Sequence, residues 1–139
     1  MIQRIQTIWL LLAFLLSVIL FVVPVFKAGD NALKIGGDYV AVIINVISIF
    51  LSLWAIFRYK NRKGQKQMTY LNVIVNIGLL AWLFNIISNF EEIQKISFGQ
   101  DGYFWIGAFL PIFTILCLIL AIAGIRKDEK LLKSLDRLR

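Results

Sequence analysis

The charged residues of this 139-residue chain all lie outside four long uncharged stretches, and this pattern limits the fold more than any other feature. The stretches run over Ile5–Phe26, Tyr39–Phe57, Gln67–Phe90 and Gly102–Ile125. An α-helix needs about 20 residues to cross a hydrocarbon core of about 30 Å, because it rises about 1.5 Å per residue. The sequence therefore predicts a single four-span membrane domain over residues 1–139, which ends in a charged amphipathic tail over residues 126–139.

The positively charged residues are distributed unequally between these stretches. The N-terminus, the second loop and the tail carry one, five and six Lys or Arg residues, whereas the first and third loops carry two and one. Short segments rich in Lys and Arg stay on the cytoplasmic side of a membrane. We therefore expect both termini and the second loop in the cytoplasm. This asymmetry explains the net charge of +7 without a nucleic-acid partner.

The short connections predict how the spans pack, because consecutive helices joined by short loops lie side by side in opposite directions. The expected fold is an all-α membrane protein, an antiparallel up-down-up-down bundle of four transmembrane helices. The first outer loop contains turn signals at Gly29-Asp30-Asn31 and Gly36-Gly37. Between them, Ala32–Ile35 forms either an irregular turn or a strand of a small extracytoplasmic β element, which would pair with Ile96–Phe98.

The tail after Ile125 has apolar and charged residues on opposite faces of a helix. Four leucines fall on the apolar face: Leu131, Leu132, Leu135 and Leu138. Such a segment either continues the fourth span, lies on the membrane surface with its basic residues at anionic headgroups, or docks onto a partner protein. We expect this face to contact a partner or the membrane surface.

Amides and hydroxyls are the main polar groups inside the spans. By helical periodicity, several of them share faces of the second, third and fourth spans. The candidates are Asn45, Ser48, Ser52, Asn72, Asn76 and Thr114. Small and weakly polar residues usually line helix–helix contacts in membranes, so we interpret them as packing residues. The alternative is a polar pocket for a lipid headgroup or a small solute, with Asn45 and Asn76 as ligands.

The residue types needed for most catalytic and cofactor chemistry are missing. The chain has no histidine, and its one cysteine, Cys117, lies within the fourth stretch. This composition excludes bis-histidine haem, the usual zinc sites and histidine-based acid–base catalysis. The four stretches contain no carboxylate, and Asp128 and Glu129 are expected to pair with basic neighbours four residues away in the tail. We therefore predict no catalytic, cofactor-binding or metal-binding residues.

The N-terminal sequence MIQRIQTIWLLLA over Met1–Ala13 is the most specific stretch of the chain. Together with the four spans and the charged tail, it resembles a family of small four-span inner-membrane proteins of Bacteroidota that is known only as a domain of unknown function. The resemblance covers the full length and implies a Gram-negative cytoplasmic membrane. It implies no activity, cofactor or functional residue.

Three functions are compatible with these features. The first is a non-enzymatic accessory or scaffold subunit that packs against or regulates a larger membrane complex, or associates with itself. The second is a lipid- or small-solute-binding protein or carrier with a polar cavity near Asn45 and Asn76. The third, an enzyme, requires carboxylates to converge at the outer interface, and the candidates are Asp30, Asp38, Glu91, Glu92 and Asp101. We favour the accessory subunit.

Overall fold

Helices form most of the chain in the computed structural model, which describes residues 2–28, 30–98 and 102–136. In chain order the helices are α1 (Ile2–Ile19), α2 (Tyr39–Phe57), α3 (Arg62–Phe98) and α4 (Ile106–Asp136). The short strands are β1 (Phe26–Ala28), β2 (Asn31–Leu33) and β3 (Gly102–Phe104), and a 3-10 turn covers Ile35–Gly37. Helices α2, α3 and α4 are each long and apolar enough to cross a membrane.

Helix α1 is shorter than predicted and ends at Ile19 instead of Phe26. A hydrogen-bonded turn follows the helix, in which the amides of Val22 and Val23 both donate to the carbonyl of Ile19. Pro24 then ends the turn, since proline has no N–H and disfavours helical backbone in the residue before it. The chain then enters strand β1 at Phe26. The uncharged stretch therefore overestimates the length of the helix, because it also includes this turn and the start of the strand.

The N-terminus of α2 is fixed by Asp38. The Oδ1 atom of Asp38 accepts a hydrogen bond from the amide of Ala41 at 2.8 Å, which satisfies one of the free N–H groups at the helix start. The Nε1 atom of Trp82 on α3 donates to the same oxygen at 3.1 Å. These bonds, chiefly the one from the Ala41 amide, lower the pKa of Asp38 from its usual value. One carboxylate therefore starts α2 and ties it to α3.

The expected small sheet is present, but with different strands. β1 is the central strand and pairs antiparallel with β2 on one side and β3 on the other. Ile96–Phe98, which the strand alternative named as the pairing segment, is helical because α3 continues to Phe98. The segment after Phe90 contains good helix formers and has no glycine or proline before Gly99, so nothing in it ends the helix.

Each helix packs against two others. α1 and α3 each contact α2 and α4. The buried apolar side chains form two clusters, and α2 contributes Ala41 to the first and Ala55 to the second. The first cluster includes β1 and the 3-10 turn and so lies at the sheet end of the helices. The polar residues of α2 lie between the two clusters along the helix.

A close backbone contact joins the end of the α1 turn to the start of α4. The amide of Gly107 donates to the carbonyl of Pro24 at 3.1 Å, and the amide of Trp105 donates to the carbonyl of Val25 at 3.0 Å. A Cβ atom at Gly107 would lie 2.3 Å from the Pro24 carbonyl oxygen. Glycine is therefore required at position 107, because only a residue without a side chain allows this approach.

Replacement of Gly107 by alanine tests this contact. We expect Gly107→Ala to lower the thermal stability of the protein in detergent, since the backbone must move and such overpacking costs about 1–3 kcal/mol. Gly78→Ala on α3 is the matched control, because no atom lies within 4 Å of the added Cβ. The control should leave the melting temperature unchanged or raise it, as alanine favours helix over glycine by about 0.5–1 kcal/mol. Equal melting temperatures for the two variants would contradict the prediction.

Candidate functional site

A polar seam lies between α2 and α3, and we define it as Ser48, Ser52, Asn72 and Asn76. The Nδ2 atom of Asn72 donates to Ser52 Oγ at 2.7 Å, and that of Asn76 donates to Ser48 Oγ at 2.8 Å. All four side chains are at most 1% exposed. The two residues on each helix are four positions apart, so they lie on one face and meet their partners in register.

The two asparagines of the seam are also bonded to each other. The Nδ2 atom of Asn76 lies 2.9 Å from both the side-chain and the main-chain oxygen of Asn72. Buried polar groups are costly unless they are hydrogen-bonded, and these groups satisfy one another. The sequence places Ser48 and Ser52 on one face of α2 and Asn72 and Asn76 on one face of α3, and the structure brings these two faces together; their role as packing residues stays a prediction.

Asn45 and Thr114 are buried but lie outside the seam network. The Nδ2 atom of Asn45 donates to the carbonyl of Ser17 at 3.0 Å and so joins α2 to α1. Its Oδ1 atom is buried and has no hydrogen-bond partner. The hydroxyl of Thr114 donates to the carbonyl of Leu110 in its own helix at 2.9 Å. Asn45 is therefore the one predicted residue with an unused buried acceptor.

A second buried polar contact joins α1 to α4, and sequence analysis missed it. The Nε2 atom of Gln6 donates to Oδ2 of Asp128, and both residues are 5% exposed. A Cβ atom at Gly124 would lie 2.8 Å from Gln6 Cγ, so the glycine makes room for the glutamine. The sequence contained a signal for the burial of Asp128, because this residue continues the stripe of Leu118, Ala121 and Ile125 at helical spacing, and the stripe is buried.

Asp128 and Glu129 of the tail contact other helices; the side chain of Lys133, four residues after Glu129, lies outside the described residues, so pairing of Glu129 within the tail stays a prediction. Asp128 contacts Gln6, and Glu129 Oε2 accepts from Lys66 Nζ of α3 at 2.7 Å. Helix α4 continues without a break to Asp136, which places these residues beside the first turns of α1 and α3. They form contacts between helices because the tail extends the helix.

An open groove of about 730 Å³ lies at this end of the molecule, between the start of α3 and the last turns of α4. We call it the basic groove, and its lining residues are Lys60, Asn61, Arg62, Lys63, Lys66, Glu129 and Leu132. The side chain of Asn61 accepts from the amide of Gly64 at 3.1 Å and so caps the first turn of α3. The turn between α2 and α3 thereby presents several basic side chains to one cavity.

The predicted leucine face is described only in part. Leu131 and Leu132 are 46% and 45% exposed, and Leu132 lines the basic groove. The side chain of Leu135 and the whole of Leu138 lie outside the described residues. The contact of this face with a partner or a membrane surface stays a prediction.

Two of the carboxylates that an enzyme would need, Asp30 and Asp38, have described side chains. Asp38 caps α2, and Asp30 is exposed at the turn between β1 and β2. The side chains of Glu91 and Glu92 and the whole of Asp101 lie outside the described residues. Within the described residues, no three histidine, cysteine or acidic side chains are placed to hold a metal ion.

A double-mutant cycle tests whether the seam positions the helices. We expect Asn72→Ala, Ser52→Ala and the double variant to show a coupling free energy of about 0.6 kcal/mol, the average for hydrogen bonds between membrane helices. Unfolding by an increasing fraction of sodium dodecyl sulfate in mixed micelles provides the measurement. Asn89→Ala is the control, because its 3.3 Å bond to Asn85 is exposed and lies within α3. Additive losses, with no coupling, would show that the two side chains do not interact.

The contact of Gln6 with Asp128 is tested by two substitutions of different chemistry. We expect Gln6→Leu to lower the free energy of unfolding by about 1–3 kcal/mol, because a buried carboxylate loses its donor. Asp128→Asn should cost less, since a carboxamide oxygen still accepts from Gln6. The same micellar unfolding experiment measures both variants. A larger loss for Asp128→Asn than for Gln6→Leu would contradict this account.

Comparison with known proteins identifies a family but no activity. No curated protein and no solved structure matches the chain. The family model described as "Domain of unknown function (DUF4293)" matches residues 2–138, which is nearly the whole chain. The expectation of a family of unknown function is confirmed, and the chain belongs to the DUF4293 family.

Proposed function

We propose that this protein is a non-enzymatic accessory or scaffold subunit of the cytoplasmic membrane, which packs against or regulates a larger membrane complex. In this proposal α1 to α4 cross the membrane as an antiparallel up-down-up-down bundle. Both termini and the turn between α2 and α3 face the cytoplasm. The observation that carries the proposal is the apolar exterior of the helices, combined with an interior in which polar side chains bond to one another.

The apolar exterior supports a membrane location for all four helices. Large apolar side chains at least half exposed occur on each helix, among them Ile8, Phe50, Ile74, Phe84 and Phe113. The polar groups of the seam lie inside and bond to one another, as the hydrocarbon core requires. Helix α1 with its following turn reaches Val23, about 22 residues, which is enough to span about 30 Å.

The positions of charge support the proposed orientation. At one end of the molecule, Lys66 of α3 pairs with Glu129 of α4. This end also holds the basic turn between α2 and α3 and the basic part of α4. The opposite end holds the three-stranded sheet and Asp38. Because Lys and Arg favour the cytoplasmic side, the basic end belongs inside and the sheet belongs outside.

Two exposed apolar features support a protein partner. A crevice of about 290 Å³ on α2 is lined by Phe50, Leu53, Trp54, Phe57 and Arg58. The second feature is the pair Leu131 and Leu132, which is exposed on the part of α4 that follows the uncharged stretch. Large aromatic side chains and exposed leucines on a helix are typical of surfaces that receive another helix.

Purification of the tagged protein from its native membrane in mild detergent tests the accessory role. We expect a membrane protein to copurify in fixed stoichiometry, as identified by mass spectrometry and native sizing. The double variant Leu131→Ala/Leu132→Ala should lose this protein, because it removes the exposed leucines of the tail. Leu116→Ala/Ile119→Ala is the matched control on the same helix, with 50% and 49% exposed side chains within the uncharged stretch.

The outcomes separate the possible roles. A partner that is retained by the control and lost from the tail variant supports docking through the end of α4. A partner lost only from the control would place the interface in the membrane and would contradict docking through the tail. A single species of this chain alone, at the mass of one or two copies, would contradict the accessory role.

Binding of a lipid or small solute is the second candidate, and the unpaired Asn45 Oδ1 atom favours it. A buried acceptor without a partner is costly, and a hydroxyl or amine of a bound molecule would satisfy it. A ligand at this site should copurify with the wild type and be lost from Asn45→Leu, as measured by mass spectrometry of the extracted protein. Identical extracts from both would count against this candidate.

A further inference from the structure

We propose that the basic groove binds the phosphate of an anionic phospholipid in the cytoplasmic leaflet. This inference rests on the proposed membrane orientation, and it assigns a ligand to a cavity that the accessory role leaves unused. Three features of the groove support this ligand: its charge, its depth relative to the membrane and the apolar surfaces beside it.

The groove has an excess of positive charge. Four of its lining residues are cations, namely Lys60, Arg62, Lys63 and Lys66. Glu129 is the acidic lining residue, and it is bonded to Lys66 at 2.7 Å. Lys60, Arg62 and Lys63 form no ion pair in the part of the chain that the structure describes. Three cations therefore converge on one open cavity, and they favour a ligand with negative charge.

The groove lies at the depth of phospholipid headgroups. Glu129 follows Ile125, the last residue of the fourth uncharged stretch, by four positions, and Lys63 precedes Gln67, the first residue of the third stretch, by four. At about 1.5 Å per helical residue, four positions correspond to about 6 Å. The headgroup region extends about 5–8 Å beyond the hydrocarbon on each side. A phosphate in the groove therefore stays attached to a lipid whose acyl chains are in the membrane.

Apolar surfaces adjoin the basic residues, as a lipid requires. Leu132 lines the groove itself and is 45% exposed. The Arg58 side chain lines the apolar crevice of α2, and its Nη1 atom lies 3.3 Å from the position of a Cβ at Gly64, between Lys63 and Gln65. Arg58 thus connects the apolar crevice with the turn that supplies the basic side chains. Basic pockets at this side of membrane helices suit anionic headgroups better than a soluble anion, which needs no apolar surface.

Native mass spectrometry of the full-length protein in mild detergent tests the proposal. The protein is titrated with phosphatidylglycerol and, separately, with phosphatidylcholine. We expect phosphatidylglycerol to bind at least fivefold more tightly, and raising the salt from 50 to 500 mM should weaken this binding, because salt screens the charges. Lys60→Gln/Lys63→Gln should weaken it by roughly 20-fold, since each basic side chain near an anionic surface contributes about fivefold.

Lys127→Gln/Lys130→Gln is the matched control. Both lysines are exposed on α4 and lie outside the groove. Their replacement removes the same amount of charge from the same end of the protein. The control should retain the wild-type affinity for phosphatidylglycerol. Equal affinity for the two lipids, or the same loss in both double variants, would overturn the proposal. Size-exclusion profiles identical to that of the wild type establish that both variants are folded.

Competition with inorganic phosphate identifies the source of the ligand. If phosphate displaces phosphatidylglycerol at a similar concentration, the groove is a site for soluble anions and the lipid proposal is wrong. Extraction of native membranes with alkaline carbonate separates failure of this proposal from failure of the membrane location. A chain that stays in the membrane pellet but shows no lipid preference contradicts the lipid site alone, whereas a chain released by carbonate contradicts the membrane location as well.

Discussion

The rest of the structure depends on the need to pair every polar group that is removed from water. In a hydrocarbon medium an unpaired amide or hydroxyl costs several kcal/mol, so polar side chains on a buried helix face must find partners on the facing helix. The seam meets this need with two pairs, Ser48 with Asn76 and Ser52 with Asn72. A shift of one helix by one turn would allow one asparagine–serine pair and leave the other asparagine and serine without partners. The seam therefore sets the register of α2 against α3, although each bond is weak.

The two ends of the molecule are held by different means. At one end, backbone hydrogen bonds of the sheet and of the Pro24–Gly107 contact join the chain around α1, α2 and α4. At the other end, side chains make the connections: Gln6 with Asp128, and Lys66 with Glu129. The basic groove lies at the second end, where the contacts depend on charge.

Much of this arrangement could be predicted from the sequence. Charge-free stretches locate helices well, because a charged side chain is costly in a hydrocarbon core, and α2 begins and ends at the predicted residues, Tyr39 and Phe57. Helical periodicity also placed Asn72 and Asn76 on one face of α3, and Ser48 and Ser52 on one face of α2. Apolar character alone does not separate helix from strand, and the prediction of α1 beyond Ile19 was wrong for this reason.

The strand partners and the partner of Asp128 could not be predicted from the sequence for another reason. Both depend on which segments meet in three dimensions, and local spacing does not specify that. The predicted strand at Ile96–Phe98 is a helix, while Phe26 pairs with Leu33 and Phe104 from two distant parts of the chain. Asp128 looked like a tail residue because its neighbours are charged. Its helical spacing from Ile125 indicates burial, but the spacing does not show that Gln6 packs over Gly124 and donates to the carboxylate.

The central position of β1 has a mechanical consequence for the whole molecule. One strand of three residues carries the hydrogen bonds that link the segments leading from α1, into α2 and into α4. Three helices are thus anchored near a common pivot, and displacement of a rigid rod grows with distance from its pivot. A relative tilt of these helices would therefore displace their far ends most, so the contacts of Gln6 with Asp128 and of Lys66 with Glu129 act where they resist tilting with the greatest leverage.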